Sequence, residues 1–380
     1  PELVEAKKNG VPTIPRTEML AELMRLKFAI TVAGSHGKTT TTSLVSSVLA
    51  EGGLDPTIVV GGKLRASSSN VRLGGSRYLV AEADESDGKF VQLPSSIAVI
   101  TNIDLEHLDF YPDLEAIKDG FVEYAGRVPF YGSVIVCVDD ENVRSILPRI
   151  RKRKVTYAID EPADLRAMVN RRDETGCHIT VSDGDETLGD IHVGVPGDHY
   201  VRNTLAAVAV GLELDVPFDI IAKGIESFQG VGRRFEVKGE ARGVMVVDDY
   251  GHHPTEIAAT IRAARANLKR RVFVLFQPHR YTRTQALAAQ FGTCFEGAHA
   301  VYVTAIYPAG EKPIPGVTSQ LLLDAIREAG DVEVEYAGSF DAMIDGVLER
   351  LEPGDMVLTL GAGDIFKAGE RLLERLKAGE

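Results

Sequence analysis

The chain has 380 residues, 44% of them hydrophobic and 26% charged, with a formal net charge of -13. That length exceeds what one hydrophobic core fills and predicts two or three domains, and the acidic balance argues against DNA or RNA as a partner, since nucleic-acid affinity rests on basic surface. No run approaches about 18 apolar residues and no signal-peptide pattern is present, so neither a membrane span nor export is expected, and the predicted setting is the cytoplasm.

The first strong pattern is an apolar strand, Phe28 to Ala33, followed by Gly34-Ser35-His36-Gly37-Lys38-Thr39-Thr40-Thr41-Thr42 and a helix striped by Leu44, Val45, Val48 and Leu49. Strand, glycine-rich turn and helix aim backbone N–H groups and a helix N-terminus at a phosphate. Gly34 and Gly37 allow close backbone approach, Lys38 reaches the β/γ-phosphates, and the Thr39 hydroxyl suits Mg²⁺. ATP is therefore the expected ligand. The loop is a shortened form of the common pattern, because Val32 stands five residues before Gly37 where the first glycine would be.

Short β-branched strands then alternate with helical patterns, predicting parallel α/β sheets: Tyr78 to Ala81, Ile97 to Ile100 and Val134 to Val138. The first is followed by Glu82, Asp84, Glu85 and Asp87, the second by Thr101, Asn102, Asp104, Glu106, His107 and Asp109. Hard oxygen ligands with one imidazole beside a phosphate loop describe a Mg²⁺ site. The basic run Arg149 to Lys154 reads as a solvated helix end before the strand Val155 to Ile159. His178 to Val181 and Thr187 to Val195 read as antiparallel hairpins added to the sheet, followed by a helix from about Asn203 to Leu214. Cys137, Cys177 and Cys294 lie far apart in apolar or strand-like segments and read as packing residues.

After the glycine and arginine hinge Gly230 to Arg234, a second α/β series has strands at Val244 to Val247, Val272 to Phe276, Val301 to Val303, Val332 to Val334 and Met356 to Leu360. Ligands in open α/β sheets collect beyond the carboxyl ends of strands. Those ends carry Asp248-Asp249-Tyr250-Gly251-His252-His253-Pro254-Thr255-Glu256 and Gln277-Pro278-His279-Arg280-Tyr281-Thr282-Arg283-Thr284. Arg280 and Arg283, one helical turn apart, form a natural fork for carboxylates or phosphates.

Taken together, Gly-Ser-His-Gly-Lys-Thr-Thr-Thr, Glu-Ala-Asp-Glu-Ser-Asp, Asp-Asp-Tyr-Gly-His-His-Pro-Thr-Glu, Gln-Pro-His-Arg-Tyr-Thr-Arg-Thr and Tyr307-Pro308-Ala309-Gly310-Glu311 resemble the Mur ligase family, through nearly the whole chain. The last three motifs resemble the member that adds L-alanine to UDP-N-acetylmuramate. The resemblance implies an ADP-forming, ATP-dependent ligase of peptidoglycan precursor synthesis that works through an acyl phosphate. It also implies Thr39 and Glu85 on one magnesium and His107 with Glu85 on a second, Asn203 and Asp249 at the adenosine, and Arg233 or Arg234 at the phosphates. Tyr250, Arg280 and Arg283 correspond to positions for alanine and the muramoyl carboxylate, and Asn70 and Arg72, after Ser67 to Ser69, to a sugar loop. His252 or His253 is the candidate for assisting the attacking amine, His199 reads as structural, and domains closing onto ATP are expected.

The expected organisation is a remnant of a UDP-binding domain at 1–26, a central P-loop mononucleotide-binding domain with a mainly parallel sheet and antiparallel hairpins at 27–229, and a Rossmann-like α/β domain at 230–380. On this reading the chain is truncated or processed at its front. Three features depart from the family: that front; Ser35, where many relatives have Thr; and Phe121, where several siblings place a carbamylated lysine. The alternatives are a ligase for a recycled murein tripeptide, a P-loop motor or switch, and a nucleotide-binding fragment without activity. The oligomeric state is left open.

Overall fold

The computed structural model describes residues 1–61, 70–107, 110–330 and 332–379. The sequence-derived serines Ser67 to Ser69 and Asp109 of the acidic cluster lie outside the described residues. The chain divides into two compact units, one of 1–169, 179–192 and 201–229 and the other of 170–178, 193–200 and 230–380.

The first unit opens with α1 (Glu2–Lys8) and α2 (Arg16–Met24), then β1 (Phe28–Ala33), α3 (Lys38–Glu51), β2 (Thr57–Val59), β3 (Val71–Arg72), β4 (Tyr78–Glu82), β5 (Ile97–Ile100), α4 (Leu114–Gly126), β6 (Ser133–Cys137), α5 (Glu141–Ile146) and β7 (Lys154–Ala158). The chain continues through β8 (Leu165–Asp173), β9 (Gly176–Asp183), β10 (Glu186–Val193), α6 (Asp198–Glu213) and α7 (Phe218–Glu226), with 170–178 and 193–200 of this stretch belonging to the second unit. Ten strands lie in the order β10-β9-β8-β7-β6-β5-β1-β4-β2-β3. β1 runs parallel to both β4 and β5, which places the turn after β1 beside the ends of both neighbours. β5 and β6 are buried along their whole lengths, as sheets covered on both faces require, whereas β8 and β9 alternate buried and solvated positions as hairpins do.

Helix α3 carries the phosphate loop and is pinned. Its predicted stripe, Leu44, Val45, Val48 and Leu49, is at most 2% exposed. α7 approaches it at Gly224, where an added Cβ would come within 2.8 Å of Val48 Cα, and the Ser47 hydroxyl donates to the Gly224 carbonyl at 2.6 Å. Behind β5, Phe121 on α4 is fully buried, with its ring 5.3 Å from that of Phe90.

The second unit has β11 (Glu236–Ala241), β12 (Val244–Asp249), α8 (Pro254–Leu268), β13 (Val272–Phe276), α9 (Tyr281–Ala286), α10 (Ala288–Thr293), β14 (Ala300–Val303), α11 (Gln320–Ala329), β15 (Glu333–Tyr336), α12 (Phe340–Leu348), β16 (Met356–Leu360) and α13 (Phe366–Ala378). Its six strands are ordered β11-β12-β16-β13-β14-β15, all pairs parallel except β11 with β12. Among the described residues, no helix is long and apolar enough to cross a membrane.

Candidate active site

The loop between β1 and α3 is held by the residues that follow β5. Ser35 N–H donates to the Asn102 carbonyl at 3.1 Å and His36 N–H to Asn102 Oδ1 at 2.8 Å, while Asn102 Nδ2 and Thr101 Oγ1 donate to the His36 carbonyl at 3.0 and 2.7 Å. His36 Nε2 lies 2.9 Å from Asp104 Oδ2. The acidic cluster after β5 thus divides: Asp104 fixes the loop through His36 and is not grouped with Glu85, and Thr101 and Asn102 are loop clamps that the motif reading had counted only as neighbours of a metal site.

Gly34 (φ 133°) and Gly37 (φ 82°) both sit where a side chain has no room: a Cβ would fall 2.0 Å from Thr101 Oγ1 at Gly34 and 2.7 Å from Asn203 Oδ1 at Gly37. Asn203 is therefore packed against the loop itself. The first i→i−4 bond of α3 is Thr41 N–H to the Gly37 carbonyl, and no side chain caps the helix. The amides of Lys38, Thr39 and Thr40 precede that bond and are the donors a phosphate would take.

Lys38 Nζ is bent back over this loop, 2.7 Å from the Gly34 carbonyl, 3.2 Å from that of Ser35 and 2.8 Å from Glu85 Oε1. Burial pushes the ammonium pKa down, yet Glu85, with Glu106 and Asp84, raises it overall. Glu85 is 1% exposed, and its Oε2 is buried without a hydrogen-bond partner among the described residues. Ligand atoms of Asp84, Glu85 and His107 lie within 4.8 Å of one another. A buried carboxylate oxygen lacking a donor, flanked by an imidazole and a second carboxylate, fits a hard divalent cation. His107 itself is left-handed (φ 55°), a strained backbone for a non-glycine residue. Tyr111 braces both Glu85 and His107, donating its hydroxyl to the Glu85 carbonyl and its N–H to the His107 carbonyl, each at 2.9 Å. The motifs gave no sign of that role. Of the sugar-loop residues, Asn70 accepts a backbone bond from Val60 and Arg72 pairs with Asp55 at 2.7 Å on the surface.

In the second unit Arg233 and Arg234 behave differently. Arg233 donates through Nε to Asp248 at 2.9 Å, through Nη1 to the Gly363 carbonyl at 3.0 Å and through Nη2 to the Gly361 carbonyl at 2.6 Å, with its guanidinium over the rings of Tyr250 and Phe366. It is built into the fold. Arg234 lies over the Tyr250 ring at 5.2 Å, with Nη1 3.6 Å from Glu256. Asp249 spends its two carboxylate oxygens on the N–H groups of Phe235 and Gly251, both at 2.7 Å, and burial lifts its pKa to about 6 against the pull of Arg234 and those amides. His253 is the N-cap of α8, in a capping box with Glu256, and is 3% exposed. His252 holds its Nδ1 3.0 Å from the Tyr250 carbonyl.

The arginine fork changes in detail. α9 begins at Tyr281, so Arg280 stands before the helix with φ 70° rather than one turn below Arg283. Arg280 Nε lies 4.0 Å from Glu311, and Arg283 Nη1 donates to His279 Nδ1 and to the His279 carbonyl, each at 3.3 Å. Glu311 accepts from Tyr281 N–H at 2.7 Å and Thr282 Oγ1 at 2.6 Å, which explains why the Tyr307 to Glu311 segment accompanies the arginine motif.

His279 stacks on Tyr307, with ring centroids 5.6 Å apart and planes 9° apart. Burial, followed by His252, Arg283 and Arg280, pushes its pKa down from 6.5 to about 3. The unfolded imidazole gains its proton near pH 6.5 and the folded one only near pH 3, so between them the unfolded state binds the extra proton and stability falls as pH drops. A His279→Asn variant is expected to give a flatter slope of melting temperature against pH in that window. An unchanged slope contradicts this assignment.

Residues 32–211 match the Mur ligase middle domain and residues 233–363 the Mur ligase glutamate ligase domain. The UDP-N-acetylmuramate–L-alanine ligase of Geotalea daltonii is 52% identical over 377 residues, covering 99% of this chain and 82% of that protein. The enzyme of the same name from Trichlorobacter lovleyi is 53% identical over 378 residues, covering 99% and 83%. Among solved structures, the UDP-N-acetylmuramate-alanine ligase MurC of Thermotoga maritima superposes with a TM-score of 0.82 at 25% identity, covering 100% of this chain and 83% of that one. The MurF ligase of the same organism, solved in complex with ADP, shares the fold with a TM-score of 0.71 at 20% identity, over 96% of this chain and 84% of its own. With a pinned phosphate loop, a carboxylate and imidazole pair beside it, and relatives matched along nearly its whole length, the chain belongs to the Mur ligase family.

Proposed function

We propose that this chain is an ATP-dependent amide ligase that joins L-alanine to UDP-N-acetylmuramate in the cytoplasm, in the synthesis of peptidoglycan precursors, with release of ADP and phosphate. The carrying observation is Lys38, whose ammonium rests on two loop carbonyls and Glu85 at the N-terminus of α3, where a γ-phosphate would take its place among the same groups.

The muramoyl carboxylate oxygen attacks the γ-phosphorus, the bond to ADP breaks, and an acyl phosphate results. Two unit negative charges about 4 Å apart repel by about 4 kcal/mol at an effective dielectric of about 20. Lys38 and the first amides of α3 offset that repulsion along the transfer path. When bound, Mg²⁺ at Thr39 and Glu85, with a second ion at Glu85 and His107, neutralises phosphate charge. The alanine nitrogen then attacks the acyl carbon, phosphate leaves with the C–O bond electrons, and the nitrogen loses a proton. His252 suits that proton: a hydrogen on Nδ1 directed at the Tyr250 carbonyl makes Nε2 the basic nitrogen. His253, buried at a helix cap, is the poorer candidate. Arg234 is the arginine we assign to the phosphates, Asn203 and Asp249 border the adenosine, Tyr250, Arg280 and Arg283 receive alanine and the carboxylate, and Asn70 and Arg72 the sugar.

A panel of amino acids tests the assignment. L-Alanine is expected to be preferred, with glycine and L-serine as poorer substrates, because one methyl group discriminates by only about 1–3 kcal/mol. Preference for D-glutamate or for a murein tripeptide would overturn it. Phe121 adds a second expectation: a fully buried ring occupies the carbamate position, and Lys118 on the same helix donates to Glu115 at 3.0 Å. Turnover in carbonate-free buffer should equal turnover with added bicarbonate, and stimulation by bicarbonate would contradict the ligand set.

A further inference from the structure

The loops that enter β13 and β14, at the amino ends of the second unit's strands, line an open pocket of about 760 Å³. It is lined by Arg265, Lys269, Arg270, Arg271, Glu296 and His299, with Val272, Gly297 and Ala298 completing the wall. The proposed reaction uses the loops leaving β12 and β13, so the five-residue length of β13, about 13 Å of strand, separates the two ends. Four of the lining side chains are permanent cations and one is a carboxylate, on a protein whose net charge is -13.

The cations are not equally occupied. Arg271 is neutralised, with Nε and Nη2 on Asp355 and Nη2 also on Glu352. Arg270 meets two carboxylates through Nη2, Glu240 at 3.3 Å and Glu174 at 3.9 Å. Arg265 and Lys269 form no ion pair among the described residues. Gly297 (φ 90°) lets the Arg265 guanidinium lie on the opposite loop: a Cβ there would come within 2.8 Å of both Cδ and Nη1 of Arg265. Gly297 thus leaves room for the Arg265 side chain beside the other basic groups.

The geometry points to an anion site that takes a phosphate monoester, the phosphate resting on Arg265 and Lys269. Two unneutralised cations match a dianion. The volume falls in the range of small-molecule sites and exceeds what bare phosphate fills.

Calorimetric titration of the full chain with glucose 6-phosphate and, separately, inorganic phosphate tests this, comparing wild type with an Arg265→Glu/Lys269→Glu variant and an Arg265→Lys/Lys269→Arg control. Both residues are exposed, so each variant should keep its melting temperature and its ligation rate. Wild type and control are expected to bind the probe, with affinity about tenfold lower or worse in the charge reversal. Any phosphate bound at the α3 loop is common to all three proteins and cancels in the comparison. Tighter binding of the ester identifies a phosphorylated metabolite and equal binding identifies free phosphate; either supports an anion site. Identical isotherms in wild type and charge reversal, or no binding of either probe at millimolar concentration, would overturn it.

Discussion

Lys38→Ala is expected to lower kcat by at least about 10²–10³-fold, the loss typical of removing one preorganised donor from a developing negative charge. The same substitution should weaken the unliganded fold. Glu85 is 1% exposed and has Lys38 Nζ on its Oε1 at 2.8 Å, while Oε2 has no partner among the described residues. Removing one member of a buried pair leaves the other charge uncompensated, at a cost of about 3–5 kcal/mol. Lys38 keeps some solvent contact, which puts this case near the lower figure. For a unit of this size that amounts to a fall in melting temperature of roughly 6–12 °C. A divalent cation answers the same carboxylate, so Mg²⁺ should raise the melting temperature of the variant more than that of wild type. Turnover within tenfold of wild type, or equal Mg²⁺ stabilisation of both proteins, would break the assignment of Lys38 and Glu85 to one electrostatic unit.

Arg233→Ala is expected to be the most damaging single change in the second unit, through the fold rather than through phosphate binding. The guanidinium ties Asp248 to the carbonyls of Gly361 and Gly363 and fills the space between Tyr250 and Phe366. Asp248 is 1% exposed and, among the described residues, keeps only the Thr359 hydroxyl at 2.6 Å as a strong partner once the arginine is gone. Burial already raises the Asp248 pKa, with Arg233 opposing that rise. The expected loss is about 3–5 kcal/mol, and Arg233→Lys should recover little of it, because an ammonium cannot reproduce a planar fork with three directed bonds. Thermal denaturation measures this directly. A variant melting within about 2 °C of wild type would return Arg233 to the list of mobile phosphate ligands.

How much of this could be read from the chain follows from how local each signal is. β1, β5, β13 and β16 have the predicted bounds, since strands buried on both faces are continuous apolar runs bounded by turns. β11 was not predicted: Glu236-Val237-Lys238-Gly239-Glu240-Ala241 is charged, lies at a sheet edge and is bent by a register shift at Gly239, so it has neither period nor hydrophobicity to detect. At the site, the turn at Gly34 and Gly37 and the start of α3 at Lys38 were legible because strand, glycine turn and helix follow one another in the chain. Tyr111 and Asn102 were not, because clamping a loop carbonyl or an amide needs only a polar atom in reach, and that reach is set by tertiary packing. Asp104 and Arg233 show the converse: a carboxylate in an acidic cluster and an arginine beside a hinge look like ligand groups, and distance alone shows each bonded within the protein.

Phosphate release from Mg-ATP, followed with UDP-N-acetylmuramate and L-alanine supplied singly and together, tests the central claim most directly. Sustained release is expected only when both are present, with one phosphate per amide bond and loss of release in Lys38→Ala. Equal release with ATP alone, or release that UDP-N-acetylmuramate supports as well without L-alanine as with it, would contradict a ligase of this specificity.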